Sequence, residues 1–211
     1  MLSELEQYIL NHTEPEDDLL KELYRETHVR MLHPRMASGH IQGKILEMFC
    51  HMIQAKNILE IGTYTGYSAI CMAKCLPENG MLHTIEINDE IEEFTRSFFE
   101  RSGLNNKIKF HIGDAREIIP TLHTTFDLVF IDGEKNQYCE YYEMVLPIVR
   151  TNGFIIADNV LWSEKVIEKN LRNNDHFAHG IKAFNDFIQK DNRVQNVLFP
   201  VRDGLMVMRK V

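Results

Sequence analysis

Residues 59–73 have the sequence LEIGTYTGYSAICMA, in which a short apolar segment is followed by two glycines and then by a second apolar segment. The first segment is typical of a buried strand, and the second has the apolar spacing of a helix. Glu60, Gly62 and Gly66 form the pattern E-x-G-x-x-x-G between them. This pattern differs from the G-x-G-x-x-G fingerprint of dinucleotide-binding proteins. The stretch therefore predicts a strand, a glycine loop and a helix, with a carboxylate just before the loop.

The alternation of strands and helices continues along the chain after this unit. Further strands are predicted at residues 81–87, 107–113, 126–132 and 153–159, with helical segments between them. This spacing indicates a mostly parallel sheet with helices on both faces. Two β-rich runs, RVQNVLFPV and LMVMRK, flank an Asp-Gly turn and predict a C-terminal antiparallel hairpin. The fold class is therefore α/β, with seven strands.

Composition and charge favour one globular unit. The chain has 211 residues, 44% of them hydrophobic, and a formal net charge of -8. We expect a single domain over residues 1–211, with a helical cover at 1–55 and an α/β core at 56–211. No signal-peptide pattern or membrane-spanning run is visible, so we expect a cytoplasmic protein that does not enter a membrane. The acidic balance also disfavours a broad surface for nucleic acid.

Acidic residues lie at the ends of five consecutive predicted strands, where ligands bind in open α/β sheets. They are Glu60, Glu86, Asp114, Asp132 and Asp158. Glu86 follows the glycine loop at the distance at which an acid binds ribose hydroxyls in nucleotide-binding folds. A carboxylate at position 60 favours a cationic ligand over a pyrophosphate, which disfavours a hydride-transferring enzyme. S-adenosylmethionine (SAM) combines a ribose with positive charge, and Asp114 would lie near its adenine.

A second group of polar residues follows the fourth and fifth strands. Asp132, Asp158 and Asn159 supply hard oxygen ligands of the kind that Mg²⁺, Mn²⁺ or Ca²⁺ prefers. The alternative is that Asp158 and Asn159 only cap the following segment. Lys135, three residues after Asp132, is either a solvated surface lysine or a base beside the metal. A nearby divalent cation favours the neutral form of an amine and acidifies a bound hydroxyl, which would suit proton removal from a phenol.

Seven segments, in order along the chain, resemble the cation-dependent O-methyltransferases of the caffeoyl-CoA/catechol type. They are RMASGHIQGKIL, LEIGTYTGYSAICMA, TIEIN, GDA, FIDGEKNQY, IADNVLW and HGIKAFNDFIQKDNRVQNVLFPVRDGL. The resemblance implies a Rossmann-like SAM-dependent methyltransferase fold, a metal site at Asp132, Asp158 and Asn159, and catalytic roles for Lys135 and Asp132. It also implies a cofactor site formed by Met36, Glu60, Gly62, Thr63, Ser68, Glu86, Asp114, Ala115, Asp132 and Glu134. Two positions depart from the family: Glu134 stands where aspartate is frequent, and Lys44 replaces a frequent glutamine.

The resemblance implies methyl transfer to a small aromatic molecule with two neighbouring hydroxyls, such as a catechol or a caffeoyl-like compound. Methylation of 5-hydroxyuridine in transfer RNA is the alternative, and the net charge of -8 weighs against it. Trp162 is expected either to stack on the acceptor or to pack structurally. A cofactor-binding protein without catalysis would have lost part of the set Asp132, Lys135, Asp158 and Asn159, which is intact. The resemblance also suggests a homodimer.

Overall fold

A computed structural model describes residues 4–211, which begin with three helices. Helix α1 spans Glu4–Asn11, α2 spans Asp18–Arg30 and α3 spans Gly39–Ile53. The carboxylate of Asp17 caps α2 by accepting a 2.9 Å bond from the backbone N–H of Leu19. A short 3-10 turn, Pro34–Met36, joins α2 to α3. The first three residues of the predicted helical cover lie outside the described residues.

The remaining elements alternate as the sequence predicts. The strands are β1 Asn57–Ile61, β2 Met81–Glu86, β3 Ile108–Ile112, β4 Phe126–Ile131, β5 Val149–Asp158, β6 Val194–Phe199 and β7 Leu205–Lys210. The helices are α4 Tyr67–Lys74, α5 Glu92–Arg101, α6 Ala115–Ile118, α7 Tyr138–Val145 and α8 His176–Ile188. The strand order is β3-β2-β1-β4-β5-β7-β6. Strand β7 is antiparallel to both β5 and β6, so the α/β fold and its C-terminal hairpin are confirmed.

Apolar side chains fill both faces of the sheet. Successive strand residues point to opposite faces, so Leu59 and Ile61 join one core while Ile58 joins the other. The first core includes residues of α7 and α8, and the second includes residues of α2, α3, α4 and α5. Because both faces are covered, the parallel strands are apolar along most of their length.

The loops after β1 and β4 touch at the carboxyl edge of the sheet. Ile61 pairs with Ile131 at the ends of the two strands, and Gly62 follows directly with a φ of +96°. A Cβ at position 62 would lie 2.3 Å from the carbonyl oxygen of Asp132, closer than any side chain allows. Position 62 therefore requires glycine, because the glycine loop there approaches the backbone of Asp132 closely.

Among residues 4–211, no helix combines the length and the apolar character needed to cross a bilayer.

Candidate active site

A cavity of about 900 Å³ opens at the carboxyl edge of the parallel strands. It brings together the glycine loop, the predicted metal ligands and the 3-10 turn before α3. The predicted site residues that line it are Met36, Gly62, Thr63, Ser68, Glu86, Asp114, Ala115, Asp132, Glu134, Lys135, Asp158 and Asn159. A cavity of this size is sufficient for a nucleoside-like ligand together with a small second molecule.

Glu60 is the one predicted site residue that does not line the cavity. It lies within β1, is fully buried, and accepts bonds from Ser68 Oγ at 2.6 Å and Thr84 Oγ1 at 2.5 Å. Burial raises the pKa of Glu60 to about 8, and the two hydroxyl bonds only partly oppose that shift. Glu60 therefore supports the cavity wall through Ser68, where we had expected direct contact with the cofactor.

Glu86 holds the glycine loop as well as facing the cavity. One of its carboxylate oxygens accepts from the N–H of Tyr64 at 2.7 Å, and the other accepts from the N–H of Asn88 at 2.9 Å. A carboxylate oxygen accepts more than one bond, so Glu86 retains capacity for ligand hydroxyls. Glu86 lines the cavity, and its ribose-binding role stays a prediction.

Asp114 caps the short helix α6 and pairs with Arg116. It accepts from the backbone N–H of Arg116 at 2.8 Å and from Nη2 of the same residue at 2.6 Å. The Arg116 side chain is the main reason that the pKa of Asp114 lies below its usual value. Asp114 thus stays ionised at the cavity wall, next to an arginine that also lines the cavity.

Asp132 and Lys135 form a close ion pair at the cavity. Lys135 Nζ lies 2.7 Å from Asp132 Oδ1 and 2.7 Å from the hydroxyl of Tyr138. That hydroxyl in turn donates to the carbonyl oxygen of Asp158 at 3.0 Å. Both charged side chains are largely buried, with exposed fractions of 11% for Lys135 and 16% for Asp132. The amine is therefore held in one position by two short bonds.

Asp158 is a nearly buried carboxylate near a second carboxylate. Burial first, and then the negative charge of Asp132, raise the pKa of Asp158 to about 6. Gln42 Nε2 donates to its Oδ2 at 2.6 Å, and the N–H of Asn159 donates to its Oδ1 at 2.7 Å. Two acids that repel one another at one cavity wall form a donor set that a divalent cation fits. Among residues 4–211, this site included, no group of three or more His, Cys, Asp or Glu side chains is arranged to hold a metal, so a cation here would depend on two carboxylates and the Asn159 amide.

Three residues that were not predicted from the sequence take part in this network: Gln42 binds the Asp158 carboxylate, Tyr138 binds Lys135, and Arg202 binds Gln42. Tyr138 lies inside the segment FIDGEKNQY, and Gln42 inside RMASGHIQGKIL, but neither motif shows which side chains turn inward. Arg202 belongs to the turn between β6 and β7 and lines the cavity. Lys44, in contrast, is absent from the cavity wall and binds Glu14 at 2.6 Å and Glu47 at 3.1 Å.

Aromatic and apolar side chains line another part of the cavity wall. Trp162 and Phe177 both line it and form an edge-to-face pair with ring centroids 5.7 Å apart. Met36, in the turn between α2 and α3, also lines the cavity with 58% of its surface exposed. An aromatic pair facing a cavity provides a surface on which a planar ligand stacks.

Comparison with known proteins agrees with this geometry. Residues 10–211 match the family model described as O-methyltransferase. Caffeoyl-CoA O-methyltransferase 1 of Zea mays is 34% identical over 225 residues, which cover 99% of this chain and 85% of that protein. Caffeoyl-CoA O-methyltransferase 2 of Eucalyptus globulus is also 34% identical, over 98% of this chain and 88% of its own length.

Solved structures show the same architecture. The O-methyltransferase TomG from Streptomyces achromogenes, in complex with SAM, has a TM-score of 0.90 and 28% identity, covering 98% of this chain and 96% of that one. The O-methyltransferase from Bacillus cereus, in complex with S-adenosylhomocysteine, has a TM-score of 0.90 and 30% identity, covering 98% and 97%. The chain therefore belongs to the O-methyltransferase family and is a SAM-dependent enzyme of the caffeoyl-CoA type.

Proposed function

We propose that this enzyme transfers the methyl group of SAM to one hydroxyl oxygen of a small aromatic molecule with two neighbouring hydroxyls, and that it requires a divalent cation. The proposal rests chiefly on one observation: the cavity wall brings together Asp132, Lys135 and Asp158. The family alone does not specify the acceptor. The proposal depends on this set of acids and amine and on the aromatic wall beside it.

Asp132, Asp158 and Asn159 are the residues that would hold the cation, with Mg²⁺ preferred and Mn²⁺ or Ca²⁺ as alternatives. Two carboxylates and an amide would supply hard oxygen ligands of the kind that Mg²⁺ prefers. When bound, a divalent cation would acidify a neighbouring hydroxyl. Asn159 has a φ of +57°, a left-handed conformation that asparagine tolerates better than most residues.

Lys135 is the residue that would receive the hydroxyl proton. Its Nζ is held at the cavity wall by Asp132 and Tyr138. Glu86, Asp114 and Ser68 would hold the cofactor on the opposite side, and Glu134 would lie near its ammonium group. Held in this way, the acceptor oxygen and the methyl carbon react as an intramolecular pair, an advantage of about 7–11 kcal/mol in favourable cases.

Three of the basic residues that could bind the phosphates of transfer RNA are already paired with acids, which favours a small acceptor. Arg30 pairs with Glu26, Lys44 with Glu14 and Glu47, and Lys165 with Asp175. A lysine or arginine that is already paired contributes less to binding phosphates. The edge-to-face pair Trp162–Phe177 offers the planar surface that a catechol ring needs.

The test is a methyl-transfer assay on two acceptors in parallel, with and without a chelator. The proposal predicts chelator-sensitive formation of S-adenosylhomocysteine from a panel of catechols that includes caffeate and its thioester. If transfer RNA that carries 5-hydroxyuridine is methylated at far lower concentrations than the catechols, the function is RNA modification instead. Turnover that does not change when the chelator is added would contradict the requirement for a divalent cation.

The homodimer and the cytoplasmic location stay predictions. Light scattering tests the first, and cell fractionation tests the second.

A further inference from the structure

Gln42 is a fully buried amide whose two ends bind two different charged groups. Its Nε2 donates to Asp158 Oδ2 at 2.6 Å, and its Oε1 accepts from Arg202 Nη1 at 2.9 Å. A carboxylate only accepts and a guanidinium only donates, so these partners determine which end of the amide faces which group. Arg202 thereby keeps the amide nitrogen of Gln42 directed at Asp158.

Arg202 also binds the segment that covers the cavity. Its Nη1 donates to the carbonyl oxygen of Ser38, and its Nη2 donates to that of Ala37 at 3.4 Å. Both carbonyls follow directly after the 3-10 turn Pro34–Met36, which lines the cavity. Within residues 4–211 Arg202 makes no ion pair, so its bonds to neutral oxygens define its role.

The backbone of Arg202 supports a role for this side chain. Its φ is +51°, in the left-handed region that glycine adopts without steric cost and other residues rarely occupy. An arginine at such a position accepts backbone strain that a glycine would avoid. Observed strain of this kind is found where the side chain has a specific task.

We propose that Arg202 and Gln42 are positioning residues that orient the Asp158 carboxylate for cation binding and link it to the covering segment 34–38. With Gln42 bound to Oδ2 and the Asn159 N–H bound to Oδ1, the carboxylate has a fixed plane and further acceptor capacity on both oxygens. Groups that orient a metal ligand without touching the metal contribute about 10- to 100-fold to metal affinity. The proposal rests on the cation site put forward under the proposed function.

The test measures Mn²⁺ binding by electron paramagnetic resonance in the whole enzyme and in the variants Gln42→Ala, Arg202→Gly and the double variant. Arg202→Gly removes the guanidinium and also relieves the left-handed backbone, so the variant is expected to fold. Each single variant is expected to bind Mn²⁺ about 10-fold more weakly. The double variant is expected to match Gln42→Ala, because Arg202 acts through Gln42. Arg209→Ala is the matched control, since Arg209 also binds neutral oxygens, at Asn152 and Gln195, but does not line the cavity.

SAM binding, measured by calorimetry on every variant, reports separately on folding and on the cofactor site. Arg202→Gly with unchanged Mn²⁺ affinity would overturn the proposal, and so would fully additive losses in the double variant. If the unmodified enzyme binds SAM but no Mn²⁺, the cation site itself is wrong and this inference with it. If the unmodified enzyme binds Mn²⁺ and the variants bind it equally well, only the positioning role is wrong.

Discussion

Glu60 and Ser68 are joined by a 2.6 Å hydrogen bond beneath the glycine loop, and only Ser68 reaches the cavity. The carboxylate that opens the decisive sequence motif is therefore a buried support for the loop. Its second bond, to Thr84, ties β1 to β2 below the same loop. The charge state of this acid thus affects the stability of the cofactor site.

Replacing Glu60 by glutamine is expected to change how stability depends on pH. Burial raises the pKa of Glu60 from 4.5 to about 8, so its stabilising contribution is complete below pH 4.5 and is lost as the pH rises through 8. Between pH 6 and pH 9 the native enzyme should therefore lose more free energy of unfolding than Glu60→Gln, by an amount on the order of 2 kcal/mol. Urea unfolding across this range measures the difference. The exposed control Glu78→Gln should follow the native curve, and a Glu60→Gln curve parallel to the native one would contradict the raised pKa of Glu60.

Replacing Gly62 by alanine is expected to destabilise the enzyme by about 2–4 kcal/mol. The new Cβ would lie 2.3 Å from the Asp132 carbonyl oxygen, and the φ of +96° disfavours any side chain. Gly103 provides the matched control, because its φ is +69° but no atom lies within 4 Å of a Cβ there. Gly103→Ala should lower the free energy of unfolding by only about 1 kcal/mol, because only the left-handed backbone disfavours a side chain there. Chemical denaturation measures both values, and equal losses would show that close contact at Gly62 is unimportant.

Replacing Asp158 by alanine is expected to abolish chelator-sensitive methyl transfer while leaving SAM binding within a few-fold of the native value. The carboxylate is one of the proposed cation ligands, whereas the residues proposed to bind the cofactor are those of the glycine loop, Glu86 and Asp114. A methyl-transfer assay and calorimetric titration with SAM measure the two effects separately. The exposed Asp186→Asn variant is the control for loss of a surface acid. Full activity in Asp158→Ala would show that this acid has no part in the reaction.

Replacing Lys135 by methionine is expected to lower kcat by about 10²- to 10⁴-fold, with a much smaller change in KM. The substitution leaves an unbranched side chain only one atom shorter and removes the amine that would accept the proton. Tyr138→Phe should lower kcat less, because it removes one of the two bonds that hold Nζ and leaves the amine. Steady-state kinetics on a catechol acceptor checks both, with the exposed Lys182→Met as control. A Lys135→Met enzyme with native kcat would exclude Lys135 as the base.

The strand-end acids were predictable because parallel strands deliver their carboxyl ends to one edge. Glu86, Asp132 and Asp158 end or follow strands β2, β4 and β5, and all three line the cavity. Glu60 differs because it lies within β1, where side chains point to the faces of the sheet. Its neighbours Leu59 and Ile61 face one core, so Glu60 points to the opposite face.

The bonds among Gln42, Asp158 and Arg202 were not predictable from local patterns. Gln42 and Asp158 are 116 positions apart, and Arg202 and Gln42 are 160 apart. A periodic pattern places Gln42 on a helix, but it does not give the rotation or the depth of that helix against β5 and β7. Only the packed arrangement brings these side chains within hydrogen-bond distance.

The reversed direction of β7 has a consequence for how such an enzyme diversifies. Strand β6 runs in the same direction as the parallel strands, so the turn that follows it, residues 200–204, lies at the ligand edge, where Leu205 pairs with Asp158. Gly204 in this turn has no room for a side chain, but the exposed positions Pro200 and Arg202 accept substitutions without loss of the core. Evolution and protein engineering thus have access to the immediate surroundings of Asp158 from a few surface positions near the end of the chain.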